Sequence, residues 1–380
     1  MTTRQPDVAR LRERTSEKWR KYPEDVLPLF VAEMDYALAP DIAQALHAAI
    51  DRSDTGYAWP RALRETFARY ASECFAWSVA PERVVIVSDV MGGVIETLRS
   101  LTRTGDGVAI MPPVYPPFFA IVASADRRVV EVPLLYEHER YGVDWDALEI
   151  AFARTVKALL LCHPHNPVGR VFAREELLRI ALLAKRYGVL VISDEIHAPL
   201  VYAGATHVPF VAIAEPLGVD AVTLMSASKG WNIPGLKCAQ MVAGSERVHE
   251  RFRQLPCDVT NRIGHLGVIA TAAAYERGQP WLRDTLAQLA ENRRSIAALL
   301  AEHLPRIRYR MPDATYLAWL DCRALPLGDD PARTFAERGR VALAHGPDFG
   351  TPGRGFARLN FATTADVVAE GIVRMARAVA

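Results

Sequence analysis

Val189-Leu190-Val191-Ile192-Ser193-Asp194-Glu195-Ile196-His197 is a run of four aliphatic residues that stops abruptly on polar and charged ones. A short apolar run without alternation fits a strand covered on both faces, and such strands belong to parallel sheets packed between helices. Working outward, similar runs recur at 84–87, 108–111, 129–133, 158–162, 221–225 and 239–243. Helix-period stretches at 92–102, 173–186, 246–254 and 262–277 stand among them, and Gly188 sits where a glycine would stop the second helix. Alternating strands and helices predict an α/β fold, a three-layer sandwich with a mainly parallel central sheet. Past about residue 280 the pattern changes to one long helix over 281–303, strand-like pieces at 314–321, 341–345 and 357–361, and a terminal helix from Ala365. This predicts a smaller α+β domain. The expected division is 45–280 for the large domain, with 1–44 and 281–380 forming the small one.

The 380 residues carry 45 Lys and Arg against 44 Asp and Glu. So even a balance lacks the basic excess that nucleic acid or an anionic membrane selects, which points to small-molecule partners. The uncharged runs 107–125 and 196–214 approach membrane-span length, but prolines at 112, 113, 116, 117, 199 and 209 would break a spanning helix. The charged start (Asp7, Arg10, Arg12, Glu13, Arg14) does not read as a signal peptide. Five scattered cysteines without a C-x-x-C pair suit a reducing cytoplasm and give no metal site.

Open α/β sheets bind ligands at strand ends, and four polar strings fall there in order. They are His163-Pro164-His165-Asn166-Pro167, Ser193-Asp194-Glu195-Ile196-His197, Ser226-Ala227-Ser228-Lys229 and, near the C-terminus, Arg358-Leu359-Asn360. Each alone is an ordinary turn, cap or surface charge. Their joint spacing, with Asn166, Asp194 and Lys229 about one βα unit apart, is much harder to reach by chance.

Together with Val31-Ala32-Glu33-Met34-Asp35, Asn232-Ile233-Pro234-Gly235-Leu236 and Tyr316-Leu317-Ala318-Trp319-Leu320-Asp321, these strings resemble the fold-type I pyridoxal 5'-phosphate (PLP) enzymes along essentially the whole chain. The resemblance is strongest to the cystathionine β-lyase (MalY/PatB) group of the class I/II aminotransferase superfamily. It implies that Lys229 carries the cofactor and takes the substrate Cα proton, which requires an amine pKa well below its free value. It further implies that Asp194 holds the pyridine nitrogen, Asn166 bonds the ring hydroxyl and the substrate side, Tyr115 stacks on the ring, and Arg358 clamps the substrate α-carboxylate.

For the phosphate, Met91-Gly92-Gly93 opens a helix directly after a strand and suits an anion cradle. By resemblance Ser226 adds a hydroxyl, Lys237 stands where many aminotransferases have a phosphate-binding Arg, and Tyr57 reaches in from the second subunit of a homodimer. His197 stands three residues after Asp194, where aminotransferases commonly have Tyr, and resembles the C–S lyases. The expected activity is a PLP-dependent carbon–sulfur β-lyase acting on cystathionine or S-substituted cysteines, with an amino-acid aminotransferase as the alternative. A regulatory or binding protein on the same scaffold is a third reading.

Overall fold

A computed structural model of the chain describes residues 7–379; the first six residues of the expected small domain lie outside it. Seven strands form one sheet: β1 (Val84–Val87), β2 (Gly107–Ile110), β3 (Arg128–Glu131), β4 (Val156–Cys162), β5 (Leu190–Asp194), β6 (Ala221–Met225) and β7 (Ala239–Ala243). Their spatial order is β1-β7-β6-β5-β4-β2-β3. β3, β2, β4, β5 and β6 run parallel, whereas β7 is antiparallel to both neighbours. The exception has a local cause. A parallel return needs a crossover of a dozen or more residues, usually a helix. Residues 226–238 are instead spent on two short helical turns, Ala227–Gly230 and Pro234–Leu236, at the C-terminal end of β6.

Every residue of β2, β5, β6 and β7 is buried, as strands covered on both faces require, including the polar Ser193, Asp194, Thr223 and Gln240. Helices pack on the sheet, among them Val90–Leu101, Arg174–Tyr187 and His265–Arg277. Gly188 has φ +64° and ends the second as expected. The helix expected over 262–277 is found as His265–Arg277, preceded by a separate short helix, Cys257–Asn261. The longer helix lies so close to the 234–237 turn that a Cβ on Gly267 would stand 2.0 Å from the Leu236 carbonyl oxygen. Only glycine permits that approach.

A second sheet combines β8 (Arg308–Tyr309), β9 (Leu317–Asp321), β10 (Ala344–His345) and β11 (Phe356–Asn360), all antiparallel. The single strand expected at 341–345 divides here: Val341–Ala342 pairs in parallel with Leu27–Pro28, while Ala344–His345 joins β11. Helices Gln279–His303 and Ala365–Val379 pack against each other on this part of the chain. Helix Pro40–Asp51 packs on His265–Arg277 and so bridges the expected boundary at 44/45.

The uncharged runs are buried strand, loop and short helix, and among the described residues no helix is long and apolar enough to cross a membrane.

Candidate active site

The C-terminal ends of β4, β5 and β6 meet the second sheet around a cavity of about 330 Å³. It brings together Asn166 after β4, Asp194 at the end of β5, Lys229 after β6, Arg358 on β11 and Tyr115 from the loop after β2. Met91, Lys237 and His197 also line it.

Lys229 points its Nζ at the backbone oxygen of Ala32, 2.8 Å away. Loss of hydration lowers its pKa to about 8, and the Arg358 charge adds to the fall. At neutral pH this amine gives up its proton far more readily than an ordinary lysine.

Asp194 is buried, and burial pushes its carboxyl up to about 7. Its one protein donor among the described residues is the Ile196 amide, 3.1 Å from Oδ1. A buried carboxylate so thinly bonded calls for a further N–H donor from within the cavity. Arg358 is also buried; it donates to Asn166 Oδ1 at 3.0 Å and to the Phe30 backbone oxygen at 2.9 Å. Its Nε has no partner among the described residues, and burial lowers its pKa to about 10. A planar cation with a free N–H edge suits an incoming carboxylate.

Burial holds the imidazole of His197 neutral, with its pKa lowered to about 3, and its ring lies edge-on to Tyr316. Tyr115 is partly buried and packs edge-on against Phe118.

Five expectations about the phosphate end come out differently or in more detail. Gly93 does not face the cavity: a Cβ there would lie 2.3 Å from Leu224 Cδ2, so the glycine serves close packing of the helix on β6. Gly92 gives its amide to the Asp89 carboxylate at 2.8 Å, and the first-turn residues that line the cavity are Asp89, Val90 and Met91. Ser226 is buried with its hydroxyl bonded to the Cys238 carbonyl and to Ser228, so it caps the Lys229 turn while Ser228 lines the cavity. Lys237 lines the cavity and pairs with Asp89 at 3.1 Å. Tyr57 is 98 % exposed and away from the cavity of its own chain.

Residues 31–35 carry a role that no local pattern in the sequence shows. In the structure, residues 30–36 form a strap whose carbonyls accept side-chain bonds: Phe30 from Arg358, Ala32 from Lys229 and Tyr316, and Val31 and Glu33 from Asn360. A buried ion pair of Lys18 with Asp35, at 2.8 Å, anchors its far end. Lys229 and Ala32 are 197 positions apart, and no local pattern signals such a contact.

A mainly parallel seven-stranded sheet with lysine, aspartate, asparagine and arginine converging at its strand ends defines the PLP-dependent fold type I. The chain belongs to the aminotransferase class I and II family, which it matches over residues 24–375. It is 46 % identical to a Mycobacterium leprae protein named provisionally as a cystathionine beta-lyase, over 98 % of this chain and 96 % of that one. It is 34 % identical to the cystathionine beta-lyase of Corynebacterium glutamicum, covering 98 % of each. The structure of cystalysin from Treponema denticola, which contains pyridoxal 5'-phosphate, superposes with a TM-score of 0.91 at 28 % identity, covering 100 % of this chain and 98 % of that one.

Proposed function

We propose that the protein is a PLP-dependent carbon–sulfur β-lyase that releases thiol, ammonia and pyruvate from cystathionine or S-substituted cysteines. The observation that carries this reading is the meeting of Lys229, Asp194, Asn166 and Arg358 in one cavity. The lyase names of the relatives support it.

The residues fit the cofactor: Asp194 lacks a second donor, Lys229 has a lowered pKa, and the Val90 and Met91 amides that open helix Val90–Leu101 have no intrahelical partners. Bound there, PLP would supply an electron sink for negative charge at the substrate Cα. Asp194 would hold the ring nitrogen's proton, and Asn166 would orient the ring. Arg358 would exchange its bond to the Phe30 carbonyl for the substrate carboxylate and so place the Cα–H toward Lys229. The Lys229 amine takes that proton as general base. Val31, Met91 and Ile196 give the cavity an apolar wall suited to a thioether side chain.

Tyr57 and Trp59, 98 % and 80 % exposed, support a homodimer in which Tyr57 reaches the second copy's phosphate site.

The test is to incubate holoenzyme with cystathionine and, separately, with an amino acid plus 2-oxoglutarate. Thiol and pyruvate release is expected in the first. Glutamate formation without thiol release would make the protein an aminotransferase instead.

A further inference from the structure

The first turn of helix Val90–Leu101 already holds an anion of the protein's own. Asp89 accepts the Gly92 amide at 2.8 Å through Oδ1 and the Lys237 ammonium at 3.1 Å through Oδ2. Helix N-terminal amides plus a cation are the donor set that binds a phosphate. Lys237 is held toward the cavity by a left-handed backbone, φ +55°, which a non-glycine residue adopts at a cost. The amides of Val90 and Met91 stay without intrahelical partners, so an anion can still enter beside Asp89.

Resting on the cofactor reading above, we propose that Asp89 is an internal competitor for the phosphate cradle, which occupies Lys237 in the ligand-free protein and weakens phosphate binding. An incoming phosphate must draw Lys237 away from Asp89 and then remain beside a carboxylate of like charge. Both side chains are partly open to water, so screening keeps the effect moderate, about tenfold in affinity. Asp89 thereby adjusts how tightly the cofactor is retained, while its cap on Gly92 holds the helix start in place.

The test compares apo-protein with D89N and D89S, both of which keep a side-chain oxygen for the Gly92 amide. Titration calorimetry with PLP, pyridoxal and inorganic phosphate reads binding without turnover. The expected result is about tenfold tighter binding of PLP and of inorganic phosphate in both variants, with pyridoxal, which has no phosphate, unchanged. Unchanged or weaker PLP binding overturns the proposal, as does an equal change for pyridoxal. A wild-type chain that binds neither PLP nor pyridoxal overturns the cofactor reading itself.

Discussion

Replacing Lys229 with methionine should abolish turnover and at the same time make the ligand-free protein more stable. The amine carries a charge in a poorly hydrated place, and the fall of its pKa from 10.5 to about 8 corresponds to roughly 3 kcal/mol of unfavourable energy in the folded state at neutral pH. Water reaching the amine through the cavity reduces this to about 2 kcal/mol. The substitution leaves little unsatisfied, because the Ala32 carbonyl keeps the Tyr316 hydroxyl at 2.9 Å as a donor. Methionine nearly matches the lysine stem in length and lines the same wall.

The sign depends on pH in a definite way. Below pH 8 the amine is charged whether the chain is folded or unfolded, so the cost is fully present. Between 8 and 10.5 the unfolded chain holds the proton more firmly, wild-type stability climbs with pH, and the variant's advantage shrinks to nothing. Urea unfolding of both apo-proteins at pH 7 and pH 10 measures this. A K229M protein less stable than wild type at pH 7, or an advantage that grows with pH, would refute the reasoning.

Arg358→Lys keeps the charge but loses the planar fork; kcat/KM in the lyase assay should fall about 10²–10³-fold, mainly through KM, and a change under threefold would contradict the carboxylate role. Asp194→Asn removes the buried anion, so kcat should drop about 10²-fold or more while circular dichroism stays unchanged. Gly93→Ala presses a methyl onto Leu224 and should cost about 1–3 kcal/mol in unfolding energy, with the dissociation constant of PLP little changed. Burial lowers the pKa values of His163, His165 and His197 to about 3 or 4 and raises that of Asp194 to about 7. Near pH 5 the three imidazoles take up protons on unfolding and the carboxyl releases one, a net uptake of about two. Apo-protein stability should therefore fall between pH 7 and pH 5, read by denaturant titration at each pH.

The seven strands and the strand-end placement of Asn166, Asp194 and Lys229 were legible because a doubly covered strand leaves a continuous apolar run that ends where the site begins. The direction of β7 was not, since an apolar run has no polarity; residues 226–238 are numerous enough for a crossover, but they fold as two turns at one end of the sheet and return the chain antiparallel. Helices such as Arg61–Phe75 and Trp145–Arg154 were passed over although Leu63, Phe67, Tyr70 and Ala71 fall on one face of the first, and Leu148 and Phe152 on one face of the second. At the site, Gly92 and Gly93 were assigned to the phosphate by their place at a helix start after a strand, and Ser226 by the family resemblance. Packing gives two of them a further demand that type and position do not show: Gly93 has no room for a side chain, and the Ser226 hydroxyl donates to the Cys238 carbonyl. Contacts across long sequence separation, such as the strap to Lys229 and Arg358, exist only once the sheet has formed.

The charges around the cavity explain which ligands it accepts. Lys229, Lys237 and Arg358 face Asp89 and Asp194, and burial raises the latter carboxyl to about 7, which weakens its hold on a negative charge. The balance is positive, and two of the cations are held by neutral carbonyls of the strap instead of by carboxylates. A carbonyl is a weaker partner for a cation than an anion is. The protein therefore presents Lys229 and Arg358 in bonds that a substrate carboxylate and a cofactor can displace without leaving a buried charge behind; of the two carbonyls this frees, that of Ala32 keeps the Tyr316 hydroxyl as a donor. Only at Lys237 is the competitor a true anion, which makes the phosphate end the one place where ligand entry works against a paired charge.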